Sequence, residues 1–195
     1  DLPAVALSED TTPDLSGLTA GDAHLWLFPE AASDVEQLED AASATLSSQE
    51  TARHASISHP VRAKQFLHSR MLLRGVLAQY LDISPQSVLL TENPNGKPYL
   101  FENSPSLSFN LSHSNSAIIL AVSTHPAIGI DLENLDRAES AYRISRHFFS
   151  PEEQQFLDSM GPERHKFALS LWTLKESIVK AQGDTIWQGL NKNYL

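Results

Sequence analysis

Short apolar segments lie between two stretches of helical periodicity, and this order constrains the fold more than any other feature of the chain. The longest helical pattern covers Arg62–Leu81, where large apolar side chains recur at helical spacing. After residue 134 the chain again shows helical spacing. The sequence therefore predicts a protein that mixes helices with short strands. The strands predicted after the first long helix are Val88–Leu90, Tyr99–Phe101, Leu107–Leu111, Ala117–Ser123 and Ile128–Glu133.

Start and stop signals define the remaining predicted elements. An early strand covers Ala23–Phe28 and ends at a proline. Ser47 and Glu50 have the spacing of a capping box, which starts a helix by satisfying its free amide groups. Ser150 precedes a proline and two glutamates, and Gly183 is a typical helix stop. The last three predicted helices are Tyr142–Phe149, Pro151–Met160 and Pro162–Gln182.

The chain length and the position of its strands predict two regions. A chain of 195 residues fits one medium domain or two small ones. A new strand starts just after Thr124–Pro126, so we expect an N-terminal region, 1–125, and a C-terminal region, 126–195. Residues 1–22 are rich in Asp, Thr, Pro and Gly, and are expected to form a loose lead-in.

The net charge of −10 is concentrated in the first part of the chain. Residues 1–60 hold eleven acidic side chains and one basic one, Arg53, whereas residues 61–195 have no net charge. Between Arg53 and Lys97 six bases accompany two acids, which makes a local positive zone. The acidic total argues against a nucleic-acid partner, but the positive zone would suit a smaller anionic ligand.

Composition also bears on location and chemistry. The chain has no cysteine, which excludes disulfides, thiolate metal sites and cysteine nucleophiles. No apolar run approaches the ~20 residues that a membrane span needs, and no signal-peptide pattern is visible at the first residues. We therefore expect a cytoplasmic protein that does not contact membranes.

Two carboxylates lie two positions apart at the end of the last predicted strand. Strand side chains alternate, so Asp131 and Glu133 in Gly129–Glu133 share one face. Neighbouring carboxylates on an apolar strand are unfavourable unless a cation compensates them. Mg²⁺ prefers such carboxylates together with phosphate oxygens. A strand end that emerges into solvent would give the same pattern without a metal, so both interpretations stay open.

The last predicted helix carries a third carboxylate and a lysine. Its apolar core stripe is predicted to consist of Phe167, Leu171, Leu174 and Ile178. Glu176 and Lys180 are four positions apart on another face, where such a pair is usually a surface ion pair worth about 0.3–0.5 kcal/mol. Brought close to the two strand carboxylates, Glu176 would complete a three-carboxylate metal site, and Lys180 would reach a phosphate.

Two further segments are weaker signals. In Phe109–Ser114 the hydroxyl of Ser112 and the imidazole of His113 could bind phosphate oxygens, although a capped turn with a solvated histidine has the same sequence. In Gly96–Pro98 the glycine permits close backbone approach, and Lys97 supplies a positive charge. A serine hydrolase is excluded, because Ser112 and His113 face opposite sides of a strand and the chain has no GxSxG turn.

Taken in order, these motifs resemble the Sfp-type 4′-phosphopantetheinyl transferases. The matching segments are Arg62–Arg74, Gly96–Pro98, Phe109–Ser114, Ile128–Glu133 and Trp172–Lys180. The resemblance implies an α+β fold of two similar halves related by a pseudo-twofold axis, with the ligand cleft between them. It also implies transfer of the phosphopantetheine arm of coenzyme A to a serine of an apo carrier protein, with release of adenosine 3′,5′-bisphosphate.

The resemblance assigns roles to individual residues. Asp131, Glu133 and Glu176 match the ligands of Mg²⁺, for which Mn²⁺ is the alternative. Glu176 also matches the proposed base for the serine, and Lys180 matches the lysine that contacts the phosphates and stabilises the leaving group. The other positions that match coenzyme A contacts are Arg53, Lys97, Pro98, Ser112, His113 and Lys175.

The chain departs from the family pattern at its end. Family members continue with several more strands, whereas this chain ends 15 residues after Lys180, so either the chain is cut or the second half lacks part of its sheet. A non-catalytic relative that binds coenzyme A or a carrier is therefore the alternative function, and a Mg²⁺-dependent phosphohydrolase is a third. The resemblance implies a monomer, and it leaves fatty-acid, polyketide and nonribosomal-peptide carriers open.

Overall fold

The computed structural model describes residues 18–19, 21–29, 42–101, 107–184 and 189–194. Most of the predicted lead-in, residues 1–22, lies outside these residues. Strands and helices occur together, which confirms the α+β class. In chain order the described elements are β1 Ala23–Pro29, α1 Ser48–Ala55, α2 Pro60–Leu81, β2 Leu90–Glu92, β3 Pro98–Leu100, β4 Ser108–His113, β5 Ala117–Ser123, α3 Ala138–Phe148, α4 Pro151–Ser159 and α5 Arg164–Gln182.

A three-stranded antiparallel sheet has the strand order β1–β5–β4. The central strand β5 was predicted as a buried apolar strand, and its bounds are as predicted. Trp26 of β1 lies opposite Leu120, and Phe109 of β4 lies opposite Val122. Helix α2 packs on this sheet, and removal of the facing side chains from water stabilises the contact. The buried members of this first core are Leu73, Val76, Leu77, Ala78, Val88, Leu100, Phe109, Leu120 and Val122.

The strand predicted at Val88–Leu90 begins two residues later than expected. β2 and β3 form a separate two-stranded antiparallel sheet in which Leu90 lies opposite Leu100. Val88 instead ends a short 3₁₀ turn, and its carbonyl accepts a hydrogen bond of 3.1 Å from the guanidinium of Arg74. Arg74 is only 3% exposed and also pairs with Glu50. The buried guanidinium of Arg74 therefore binds the Val88 carbonyl, which would otherwise be free to pair in an extended strand.

The predicted capping box at Ser47 is present, and the helix start predicted at Ser150 is also a capping box. Ser47 and Glu50 cap α1 reciprocally, and Ser150 and Glu153 do the same for α4. Each pair satisfies amide groups that the first helical turn leaves without partners. Both glutamates also bind a buried cation from another helix: Glu50 binds Arg74 of α2, and Glu153 binds Lys175 of α5. Each of these ion pairs therefore holds the start of a helix against a buried residue of a neighbouring helix.

Helices α3, α4 and α5 form a second core, and the stripe predicted on α5 is right at Leu171 but wrong at Phe167 and Leu174. Phe167 and Leu174 are 41% and 46% exposed, whereas Ala168, Trp172 and Val179 are buried. The buried face of α5 includes Lys175. Because lysine is charged, a search for apolar periodicity does not identify this face. The buried members of this second core are Ala141, Phe149, Leu157, Ala168, Leu169, Leu171, Trp172 and Leu190.

The strand predicted at Ile128–Glu133 is an extended segment without regular strand pairing. It runs beside β4, but two β4 side chains take the place of the backbone ladder. The amide of Ile130 donates to Asn110 Oδ1 at 2.8 Å, and the amide of Leu132 donates to Ser112 Oγ at 3.3 Å. The side chains of β4 thus fix the position of the segment that carries Asp131 and Glu133.

All the strands of the described residues precede Thr124, and the described part of region 126–195 contains helices and irregular segments. The two-half arrangement and the boundary near residue 125 therefore stay predictions. No helix within the described ranges has both the length and the apolar character required to cross a bilayer.

Candidate functional site

A cavity of about 730 Å³ opens where the end of β4, the segment 131–137 and helix α5 meet. Its volume is typical of sites that bind small molecules. Among the described lining residues, two are cationic, Arg137 and Lys180. Four others are carboxylates: Asp131, Glu133, Asp136 and Glu176. The cavity therefore has an excess of negative charge, which favours a cation in it.

The three carboxylates singled out from the sequence meet at this cavity. One oxygen from each of Asp131, Glu133 and Glu176 lies within 4.8 Å of the other two. We call these three residues the carboxylate cluster. The cluster depends on the close approach of the extended segment to α5 at Gly129, where a Cβ would collide with the carbonyl oxygen of Ser177. Glycine is therefore required there for steric reasons.

Lys180 lies beside the carboxylate cluster and connects three groups. Its Nζ is 2.5 Å from Asp131 Oδ1 and 3.6 Å from Glu176 Oε2. It also donates a hydrogen bond of 3.1 Å to Ser112 Oγ. The Lys180 side chain keeps 29% of its surface exposed, so the ammonium remains accessible from the cavity. A phosphate in the cavity could therefore reach it.

The surroundings of Glu176 disfavour its ionised form. Burial raises the pKa of its carboxyl group above the ordinary value, and the neighbouring charges of Asp131 and Glu133 act in the same direction. Lys180 opposes this shift without cancelling it. Desolvation and like charge are the usual causes of a raised carboxyl pKa at functional sites. A single lysine is thus not enough to neutralise the carboxylate cluster.

The carboxylate cluster fits a hard divalent cation. The Asp131 side chain is only 4% exposed, and its Oδ2 atom is buried without a hydrogen-bond partner among the described residues. An unpaired buried oxygen is costly, and oxygen ligands are those that Mg²⁺ prefers. Glu133 bonds through both oxygens to Arg137, at 2.6 and 2.8 Å. That pair is exposed on the arginine side and can rearrange at low cost.

Ser112 and His113, predicted as phosphate contacts, differ in their surroundings. The hydroxyl of Ser112 donates to Asp131 at 2.8 Å and accepts from Lys180 and from the amide of Leu132. These three bonds use the full capacity of a hydroxyl group, so Ser112 organises the site. His113 lies in the cavity wall and is exposed, which leaves its ring available to a ligand.

Lys175, predicted as a coenzyme A contact, points away from the cavity. It is fully buried, and its Nζ lies 2.8 Å from Glu153 Oε2. It also donates to the carbonyls of Leu190 and Lys192, at 2.7 and 2.6 Å. The rings of Phe149 and Tyr194 flank the ammonium at 4.8 and 4.9 Å. Because all these partners are internal, Lys175 is a structural residue in this fold, and the predicted contact is withdrawn.

We refer to Lys175 and the three side chains around its charge, Phe149, Glu153 and Tyr194, as the clamp. Burial lowers the pKa of Lys175, and Glu153 opposes that shift. Glu153 also accepts hydrogen bonds from the amides of Ser150 and Tyr194. The clamp therefore joins α4, α5 and the segment 189–194.

The other predicted contacts lie outside the cavity wall. Lys97 lines a second, smaller cavity of about 410 Å³, and its ammonium bonds to backbone carbonyls. Pro98 begins β3, opposite Glu92. Arg53 is exposed in the last turn of α1. Their contacts with coenzyme A stay predictions.

Three residues of the site were not singled out from the sequence. Asn110 anchors the segment before Asp131, Gly129 permits its contact with α5, and Arg137 binds Glu133. Alternation along β4 could have identified Asn110, because it shares a strand face with Ser112. The contact of Gly129 with α5 had no comparable signal, since it depends on which helix packs there.

Comparisons with known proteins match both parts of the chain to one family. A model described as the 4′-phosphopantetheinyl transferase superfamily matches residues 127–194, and a model of the N-terminal part of 4′-phosphopantetheinyl transferases matches residues 34–125. The first match contains the complete carboxylate cluster and Lys180. The second contains Asn110, Ser112 and His113.

Individual relatives support the same assignment. The 4′-phosphopantetheinyl transferase HetI of Nostoc sp. is 37% identical over 177 residues, which are 89% of this chain and 73% of HetI. The protein slr0495 of Synechocystis sp. is 38% identical over 151 residues, 76% of this chain and 61% of slr0495. The transferase gsp of Aneurinibacillus migulanus is 32% identical over 134 residues, 68% of this chain and 54% of gsp.

The chain thus spans between 54% and 73% of the length of these curated relatives. Within that span, the match to HetI extends over most of both proteins. The two family matches and the identity to HetI show that this chain belongs to the 4′-phosphopantetheinyl transferase superfamily.

Proposed function

We propose that this chain transfers the 4′-phosphopantetheine arm of coenzyme A to a serine of an apo acyl or peptidyl carrier protein. The observation that carries the proposal is the carboxylate cluster beside Lys180 in a cavity of about 730 Å³. A pyrophosphate ester is the substrate class that suits both a divalent cation and a lysine. HetI and gsp are named as enzymes of this activity, which supports the same conclusion.

The proposed metal is Mg²⁺, with Mn²⁺ as the alternative, held by Asp131, Glu133 and Glu176. When bound, such an ion would neutralise negative charge on the bridging phosphate oxygens. The orphaned Asp131 Oδ2 is the atom of this chain most clearly prepared for it. Oxygen ligands alone do not distinguish the two metals.

The residues of this chain have separate roles in the proposed reaction. Glu176 accepts the proton of the carrier serine as the serine oxygen attacks the β-phosphorus. The bond from that phosphorus to the bridging oxygen breaks, and adenosine 3′,5′-bisphosphate leaves. Lys180 stabilises the negative charge that develops on the leaving phosphate.

Asp131 and Ser112 orient the reacting groups. Ser112 holds both Asp131 and Lys180 by hydrogen bonds, so the ammonium stays beside the carboxylate cluster. His113 is placed to donate to a phosphate oxygen at the cavity wall. We expect the chain to act as a monomer, as the family resemblance implies, and in the cytoplasm, as expected from its composition.

Intact-mass spectrometry tests the proposal. The purified chain is incubated with coenzyme A, Mg²⁺ and a panel of apo carriers from fatty-acid, polyketide and nonribosomal-peptide synthesis. We expect one carrier or more to gain the mass of a single phosphopantetheine, and a carrier with its serine changed to alanine to gain none. Tight binding of coenzyme A without transfer to any carrier would instead identify a non-catalytic relative. Release of phosphopantetheine without a carrier would identify a phosphohydrolase.

A further inference from the structure

A turn of the N-terminal region closes the end of the helix that carries Glu176 and Lys180. The turn covers residues 93–97, between β2 and β3. Its two asparagines, Asn93 and Asn95, both donate side-chain hydrogen bonds to the carbonyl of Gly183, at 3.0 and 2.8 Å. Gly183 is the left-handed C-cap of α5. Helix ends leave carbonyl groups without partners, and this turn supplies donors from a distant part of the chain.

Lys97 completes the contact with its ammonium group. Its Nζ donates to the carbonyl of Lys180, in a short contact, and to the carbonyl of Ile128 at 3.2 Å. Burial lowers the pKa of Lys97, which indicates a partly desolvated charge. A positive charge at a helix C-terminus is favourable because it faces the negative end of the helix dipole.

These two carbonyls belong to the two segments that form the carboxylate cluster. Ile128 lies three positions before Asp131 on the extended segment, and Lys180 lies one turn after Glu176 on α5. One ammonium group therefore spans the junction between them. Gly129 is packed against α5 at the same junction, so no side chain separates the two backbones.

We infer that Lys97 is a positioning residue, which sets the spacing of the carboxylate cluster by holding the backbones of Ile128 and Lys180 together. The catalytic importance of this role rests on the proposed function, whereas the effect of Lys97 on metal binding can be measured without it. It differs from the contact with coenzyme A that the family resemblance implies for this lysine. Residues that support metal ligands without touching the metal commonly change affinity about 10- to 100-fold when they are replaced.

Binding of Mn²⁺ to the chain alone, measured by electron paramagnetic resonance, tests the inference without carrier or coenzyme A. Lys97→Met removes the ammonium, and Lys166→Met is the matched control. Lys166 lies near the start of α5, 68% exposed, and pairs only with Glu163 among the described residues. We expect Lys97→Met to weaken Mn²⁺ binding about 10- to 100-fold and Lys166→Met to leave it unchanged.

Asn95→Ala is a milder second variant, because it removes one hydrogen bond to Gly183 and leaves Lys97 in place. It is expected to weaken Mn²⁺ binding in the same direction by a smaller factor, with an unchanged circular dichroism spectrum. Equal Mn²⁺ affinity in Lys97→Met and Lys166→Met would overturn the inference, as would a wild-type chain that binds no Mn²⁺.

Transfer kinetics separate positioning from direct contact with the substrate. If Lys97 acts through the backbone, Lys97→Met lowers kcat and leaves the KM for coenzyme A nearly unchanged. A higher KM for coenzyme A with unchanged Mn²⁺ affinity would instead show that Lys97 contacts the substrate and would refute the inference. Absence of transfer by the wild-type chain would count against the proposed function, whereas the Mn²⁺ comparison would stand.

Discussion

Two lysines on α5, five positions apart, have opposite surroundings. Lys175 in the clamp has no exposed surface, and Glu153 balances its charge while two carbonyls fill its hydrogen-bonding positions. Lys180 is partly exposed and lies beside three carboxylates, of which it contacts only Asp131 and Glu176. The charges of Lys175 and Glu153 in the clamp therefore balance. The carboxylates that line the cavity, in contrast, outnumber its cationic side chains, so negative charge remains there.

This difference separates structural from functional charge on one helix. A buried pair with matched charges and satisfied hydrogen bonds needs nothing further, and its disruption should affect folding. A cluster with excess charge and an orphaned oxygen is prepared for a ligand, and its alteration should affect activity. The following variants test whether the two kinds of charge differ in this way.

The largest effect is expected for Glu176→Gln. Loss of the proposed base should lower the transfer rate about 100- to 10,000-fold. Unfolding should occur at the same temperature or a higher one, because repulsion from Asp131 and Glu133 is relieved. Rates come from the mass gain of a carrier, and stability comes from thermal melting without metal. A transfer rate within a few-fold of wild type would remove Glu176 from the mechanism.

The next largest effect is expected for Lys175→Met. It leaves Glu153 buried without its cation, and breaking a buried pair in this way costs about 3–5 kcal/mol in the free energy of unfolding. Urea unfolding measures the loss. The double variant Lys175→Met with Glu153→Gln should recover part of it, because glutamine carries no charge and keeps one acceptor oxygen for the amide of Ser150 or of Tyr194. A loss below 1 kcal/mol would show that the clamp is not structural.

A third variant, Gly129→Ala, tests the junction between the extended segment and α5. The added Cβ would collide with the carbonyl oxygen of Ser177, and overpacking of this kind costs about 1–3 kcal/mol. Gly75→Ala on α2 is the matched control, because its Cβ would meet no atom within 4 Å. That control should be neutral or stabilising by up to about 1 kcal/mol. Equal stability of the two variants in urea unfolding would contradict the close contact.

The smallest effect is a pH dependence of stability due to Glu176. Its pKa in the folded chain is raised above the ordinary value of 4.5, so the folded state holds this proton more tightly than the unfolded state. As pH rises from 4.5 through the folded-state pKa, the wild type should therefore lose stability relative to Glu176→Gln. Melting of both proteins in a chelating buffer measures the difference. A constant difference across this range would argue against the raised pKa.

The sequence predicted the elements that depend on local signals. The helix starts at Ser47 and Ser150, the strand Ala117–Ser123 and the stop at Gly183 all follow from neighbouring residues, and the structure contains each. Short-range patterns also identified the three carboxylates, because alternation and helical spacing limit which faces they occupy. Their meeting at one cavity depended on packing between distant segments, for which the family resemblance was the available guide.

The prediction was wrong where a charged side chain is buried. Lys175 and Arg74 are interior residues whose partners come from other helices, and hydrophobic periodicity cannot assign a cation to a core. The positive zone predicted between Arg53 and Lys97 is smaller than its count of bases suggests, for the same reason. Arg74 binds Glu50, Arg70 lies near Glu50 and Glu92, and Lys97 binds carbonyls. Internal partners therefore use much of the charge that seemed available to an anion.

The central claim is that the excess charge of the carboxylate cluster forms a divalent cation site. Calorimetric titration of the metal-free chain with Mg²⁺ tests it most directly. We expect one ion to bind per chain, no binding in Asp131→Asn, and unchanged binding in Asp158→Asn, whose carboxylate pairs with Arg146 on the surface. A wild-type chain that binds no Mg²⁺, or an Asp131→Asn variant that binds it as tightly as Asp158→Asn, would contradict the account.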